Sequence, residues 1–247
     1  MTNRDLMEHW ESWAPLATAE DWDNPGLLIG SPDDEIRGIV VSLDATAQAL
    51  EVARSVGANL LVTHHPVIFA PLKRLDRRDV AYRAAALGID ILSMHTNLDK
   101  AAGGVNDTLA ERLGLQDVRP TEDGMCRVGR LAEPMTAGAF ARAVAAALDT
   151  PVRLGTAERT VTAVAVCGGS GGEFLSAMDG VADAFVTGEV RHHEWLAANA
   201  AGIVTVEAGH YATEQPVTDA ICRFLAEQFP AIPVTAFDEA APYETVR

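Results

Sequence analysis

The chain has 247 residues, 48% of them hydrophobic, enough to bury the core of one large α/β domain or of two smaller ones. Acidic side chains outnumber basic ones 35 to 19, and the formal charge of −16 argues against nucleic acid as a partner while attracting divalent cations. The three cysteines, Cys126, Cys167 and Cys222, are widely spaced and form no CxxC pair, which argues against a disulfide framework and against a thiolate zinc site.

In chain order, the opening MTNRDLMEHWESWAP has no continuous apolar run of the signal-peptide kind, and no stretch of about 18 apolar residues could span a membrane. A cytoplasmic location is the expectation. Leu6, Trp10, Trp13 and Leu16 recur at helical spacing and predict a helix over 4–18. GLLIG (26–30) reads as a short strand, and IRGIVVSLD (36–44) as a buried strand ending in Asp44. A helix over ATAQALEVARSVGA and the strand NLLVTHH complete a βαβ unit, hence a parallel sheet with a right-handed crossover. A helix around 77–87, a strand over 89–96 and a helix over 104–113 follow.

The middle segment repeats this unit. A shift of 124 carries Val40 onto Val164, Ala58 onto Ala182, Val62 onto Val186 and Thr63 onto Thr187 without a gap. VTAVAVCGGSGGEFLSAMDGVADAFVTGE is therefore expected as another strand–helix–strand, with chance matching in Ala/Val-rich sequence as the competing explanation. A strand over 203–210, a helix over 216–229 opened by Pro216 and a strand over 232–237 end the chain. The expected fold class is α/β: two interleaved α/β lobes of similar βαβ units with the metal site between them. The first lobe is 1–121 plus 208–247, carrying most metal ligands; the second, inserted, is 122–207.

Histidines and carboxylates gather where strands are expected to end: Asp44, His64, His65, His95, Asp99, Glu189, His192, His193, His210 and Glu214. Six of the seven histidines are in this set, all but His9. Open α/β sheets bind ligands at the carboxyl ends of their strands. Imidazole with carboxylate and no thiolate suits zinc, manganese, iron, cobalt or nickel rather than calcium or an iron–sulfur cluster. Neighbouring side chains on a strand point to opposite faces, so THHP fits two ions with one histidine each better than one ion; the alternative is a pair of hydrogen-bonded core histidines. HTNLD sets His95 and Asp99 four apart, and GHYATE sets His210 and Glu214 four apart, the spacing of one helical face. Glu214 can instead be read as a carboxylate facing a helix N-terminus. CGGSGG (167–172) can cradle an anion, but a tight turn suits it better. The cysteines read as small buried hydrophobes, and Trp10, Trp13 and Trp22 as core or interface residues rather than stacking platforms.

DWDNPGLLIG, LVTHHPVIF, HTNLDKAAGGVND, FVTGEVRHHEWLAA and GHYATE occur in that order, and together they resemble the Nif-three-like family of dinuclear metal centre proteins. The resemblance runs from about residue 20 through the last helix. It implies two divalent metal ions per chain, with His64 and His65 binding different ions. Asp99, His210 and Glu214 complete the ligands it implies, Glu214 bridging both. It also implies the short form of the family and a ring-shaped homohexamer with its metal sites facing an internal cavity. Pro25 stands where many members carry a β-branched residue, at a position that is no ligand. On this reading His95 and His193 are proton shuttles or orient the ligands, as are His192 and Glu189. Two divalent ions against two carboxylates leave a net positive charge, suited to a metal-bound hydroxide and a small anionic metabolite. Two functions follow as expectations. One is a metal-dependent hydrolase acting on a nucleotide or another phosphate- or amide-bearing metabolite. Members carry the name GTP cyclohydrolase 1 type 2 homologue, but no guanine pocket is marked in the sequence. The other is a non-enzymatic metal-binding regulatory or scaffold protein.

Overall fold

A computed structural model describes residues 1–243. In chain order the elements are α1 (Asn3–Trp10), β1 (Gly26–Ile29), β2 (Ile39–Ser42), α2 (Ala47–Val56), β3 (Leu60–Thr63), α3 (Val80–Leu87), β4 (Asp90–Ser93), α4 (Thr96–Lys100) and α5 (Val105–Arg112). There follow β5 (Gln116–Pro120), β6 (Arg127–Thr136), α6 (Ala137–Ala147), β7 (Arg153–Leu154), β8 (Thr160–Cys167) and β9 (Ala184–Thr187). The chain closes with α7 (His192–Ala201), β10 (Val204–Glu207), α8 (His210–Glu214), α9 (Val217–Gln228) and β11 (Val234–Ala236). The chain is α/β, with two sheets, and it divides into two compact units. One is Met1–Ala102 with Val217–Ala240; the other is Gly103–Pro216 with the C-terminal residues from Ala241. These limits lie at 102/103 and 216/217, against expected limits of 121/122 and 207/208.

The first unit holds a five-stranded sheet in the order β1-β4-β3-β2-β11, parallel except for β1. Every residue of β2, β3 and β4 is buried, as for parallel strands covered on both faces. Val40, Leu61 and Ile91 of these strands pack with Leu50 and Ala53 of α2. The α2 helix begins where the Thr46 hydroxyl accepts the amide of Ala49 (3.1 Å). It ends at Gly57, whose φ of +73° closes a left-handed cap with amide bonds back to Ala53 and Arg54. The helix expected over 4–18 is broken: α1 stops at Trp10, and a 3₁₀ turn (Leu16–Thr18) follows Pro15, which has no amide to continue a helix.

The second unit holds a six-stranded sheet, β5-β6-β8-β9-β10-β7, in which β8, β9 and β10 are the parallel centre. Alternate residues of the central strands feed two cores. Val164, Val166 and Val186 pack with Phe140 and Val144 of α6. Ala165, Cys167 and Phe185 pack on the opposite face with Leu175, Met178 and Ala198 of α7. The β9 residues are those of β3 shifted by 124, and both units repeat a strand, a helical crossover and a parallel strand. The second crossover is a 3₁₀ helix (Gly171–Met178), not the α-helix the repeat suggests. Two of the three cysteines are buried; burial of the third, Cys222, pushes its thiol up to about 11.

Candidate metal centre

In the first unit, β2, β3 and β4 run parallel, so the residues after them share one edge of the sheet. Asp44 follows β2, His64 and His65 follow β3, and His95 caps the start of α4, the turn that carries Asp99. A ligand-capable atom from each of His64, His65 and His95 lies within 4.8 Å of the others. The ring centroids are 4.8 Å apart for His64–His65, 5.2 Å for His64–His95 and 5.7 Å for His65–His95. Asp99 Oδ1 is 3.7 Å from His64 Nε2.

Each ring is held through its other nitrogen. His64 Nδ1 donates to the carbonyl of Met94, His65 Nδ1 to Asp44 and His95 Nδ1 to Asp23, all at 2.8 Å. A proton on Nδ1 gives Nε2 the lone pair that a metal needs, and such outer partners fix both tautomer and ring orientation. His64 is fully buried. Burial alone would raise the carboxyl of Asp23, but hydrogen bonds from His95 and Thr96 outweigh it and bring the pKa down to about 2. Asp44 is itself secured, its amide donating to Glu239 (2.7 Å). Burial raises the carboxyl of Glu239. A cavity of about 340 Å³ opens beside His65, lined also by Asp44, Pro66, Val67 and Asp79.

In the second unit, Gly209 (φ +85°) turns the chain after β10 into α8, and His210 and Glu214 are the first and last residues of that helix. His210 Nε2 lies 3.0 Å from Glu214 Oε2, and its Nδ1 lies 3.0 Å from Glu189 Oε1. One imidazole thus sits between two carboxylates. The hydroxyl of Ser170 is the main cause that holds the Glu189 carboxyl below its ordinary value; burial opposes it and His210 assists. Glu214 is buried against the CGGSGG loop. A Cβ on Gly169 (φ +62°) would collide with the Glu214 carboxylate, and one on Gly168 would come within 3.2 Å of Glu214 Cγ. The Gly169 amide donates to Thr213 of α8 (3.0 Å). The glycines let backbone pass against α8 and hold Glu214 in place, which fits the tight turn expected of them. A cavity of about 420 Å³ lies beside His210 and Glu189, lined also by Arg153, Glu207 and Tyr243.

Of the expected site residues, His64, His65, His95 and Asp99 are gathered in the first unit, and His210, Glu214 and Glu189 in the second. His95 has a ligand-capable atom within 4.8 Å of those of the paired histidines. His192 and His193 are exposed at the start of α7 and enter no metal-capable group among the described residues. Asp23 was not foreseen: it precedes β1, 72 positions from the histidine it holds, and only its place in DWDN marked it. Three imidazoles and a carboxylate without a thiolate form a donor set that fits zinc, manganese, iron, cobalt or nickel.

A family model described as Duf34/NIF3 (NGG1p interacting factor 3) matches residues 1–242. A GTP cyclohydrolase 1 type 2 homolog of Lactococcus lactis is 32% identical, the match covering 91% of this chain and 90% of that protein. One from Nostoc is 36% identical, over 90% of each. The crystal structure of the Staphylococcus aureus hypothetical protein SA1388 superposes with a TM-score of 0.92 at 26% identity, covering 100% of this chain and 99% of that one.

Proposed function

The chain belongs to the Duf34/NIF3 family, and from that premise we propose that it binds two divalent metal ions and acts as a metal-dependent hydrolase. The observation that supports the reading is the pair His64 and His65, each held through Nδ1 by a carbonyl or a carboxylate, with a third imidazole, His95, within 4.8 Å and itself held by Asp23. The proposed ligands are His64, His65, Asp99, His210 and Glu214, with Glu214 shared between the ions. Divalent ions held there would supply Lewis acidity and make bound water a better nucleophile.

The chain's own residues then have separate tasks. Asp44 and the Met94 carbonyl orient His65 and His64. His95 is suited to take a proton at Nε2 while Asp23, ionised at any physiological pH, stabilises the imidazolium that results. The same proton is then available to the leaving group. His64 and Glu214 are each buried, which limits the access of bulk water to these two side chains. The substrate class proposed is a nucleotide or another phosphate- or amide-bearing metabolite; the names of the relatives, GTP cyclohydrolase 1 type 2 homologs, agree with a nucleotide. A homohexamer, as the family resemblance implies, belongs to the same proposal, and light scattering reads it.

The test is a hydrolase panel of nucleotides, phosphate esters and cyclic amides on protein loaded with zinc or manganese. Turnover that is lost on chelation, and reduced in both His64→Ala and Asp23→Asn, is the expected result. Two ions bound per chain with no turnover on any panel member would overturn the hydrolase reading and favour a regulatory or scaffold role.

A further inference from the structure

Trp22 does not behave as a core residue. Its neighbours in the fold are the exposed ring of Phe69 and the imidazole of His95. Trp22 is 58% exposed and Phe69 54%, and their rings lie 5.7 Å apart at 46°. Both rings meet His95 edge-on, at 6.2 Å and 6.1 Å. The two segments that carry them are tied together, since the Asn24 side chain donates to the Ile68 carbonyl at 2.6 Å. Asp23, next to Trp22, is bonded to His95 and to Thr96. The aromatic pair is therefore fixed to the same residues that orient the histidine cluster.

We propose that Trp22 and Phe69 form a stacking shelf for a planar heteroaromatic ring, which they hold beside His95 and the metal-capable histidines. The inference rests on the hydrolase reading and narrows its substrate class to molecules with such a ring.

Exposed aromatic faces attract π-systems through dispersion and their quadrupoles, and stacking on them tolerates many ring types. The size of the shelf favours a small molecule over a protein. Two rings, each a little more than half exposed, offer roughly 200 Å², well below the ~800 Å² per partner of a stable protein interface. The exposed leucines Leu72 and Leu75 line a cavity with Ile29, Ile68 and Tyr82, and Leu72 also lines the cavity beside His65. A ring lying on the shelf has its edge toward His95, so polar substituents on that edge reach the cluster while the rest of the ring faces solvent.

The test is calorimetric titration of metal-loaded protein with GMP, AMP, UMP and a pterin, with ribose 5-phosphate as the ligand that carries an anion but no ring. At least one ring-bearing ligand is expected to bind ten-fold or more tighter than ribose 5-phosphate. Trp22→Ala should weaken that ligand by about five-fold or more, the loss typical of a removed stacking face, and Trp22→Phe should restore most of it. Metal content by mass spectrometry should equal the wild type in both variants. Equal binding by Trp22→Ala and wild type would overturn the proposal. So would a panel in which no ring is preferred over ribose 5-phosphate, or a Trp22→Ala variant whose only change is a smaller oligomer, which would make the shelf a subunit contact. Failure of the metal reading shows separately, as wild-type protein without bound metal.

Discussion

Replacing Gly169 with alanine tests whether the glycine loop holds Glu214. Gly169 has φ +62°, and an added Cβ would overlap the Glu214 carboxylate and stand 3.2 Å from His210 Nε2. Gly202 is its control: it lies in the same unit at φ +73°, with nothing within 4 Å of an added Cβ. Gly202→Ala therefore carries only the left-handed backbone term, about 1–2 kcal/mol. Gly169→Ala carries that and an overpacking term of about 1–3 kcal/mol, or roughly 2–5 kcal/mol together. For a chain of this size each kcal/mol moves the melting temperature by about 2–4 °C. Scanning calorimetry should thus place Gly169→Ala well below Gly202→Ala, and metal analysis should find ions lost from the first variant alone. Equal melting temperatures and equal metal content in the two variants would show that the glycine loop does not hold Glu214.

Other expectations follow from single contacts. Phe185→Ala, at a fully buried core position, should cost about 3–5 kcal/mol, read from chemical denaturation. The depressed Asp23 carboxyl contributes stability that is present above its unfolded value near ~3.9 and is lost as pH falls through about 2. The melting-temperature gap between wild type and Asp23→Asn should accordingly be widest above pH ~4 and shrink toward pH ~2; a gap that stays constant would contradict the assignment. Bound metal should dissociate as pH drops through the range of free imidazole, ~6.5, since protonated imidazole cannot ligate; full retention at pH ~4.5 would argue against histidine ligands.

Much of the fold could be read from apolar runs and their boundaries. IVV and LLV are continuous and short, and both proved to be buried parallel strands with ligand-type residues immediately after them. The repeat at 124 positions located β9 from β3. The 3₁₀ crossover escaped because GGEFLSAM has helical periodicity, and pattern alone does not separate a three-residue turn from an α-turn. Residues 114–160 went unread. The α6 stripe of Phe140, Ala141 and Val144 was present but diluted by alanines, and β6 mixes buried with exposed positions and is irregularly paired. At the candidate site, the HHP, HTNLD and GHYATE motifs named the ligand-type residues, and the strand-end set already held Asp44 and Glu189, but not Asp23, and no pattern paired each carboxylate with its histidine. Asp23 and Asp44 meet their histidines only through the fold, across 72 and 21 positions.

Metal stoichiometry by mass spectrometry on wild type and Glu214→Ala, with circular dichroism on the same samples, decides whether one carboxylate joins two ions. The strands are apolar and the chain is long enough to fold without metal. Two ions per chain are expected in the wild type, and a folded Glu214→Ala protein with far fewer than two, because the shared ligand is gone. A folded variant that still carries two ions would show that Glu214 is not shared between them.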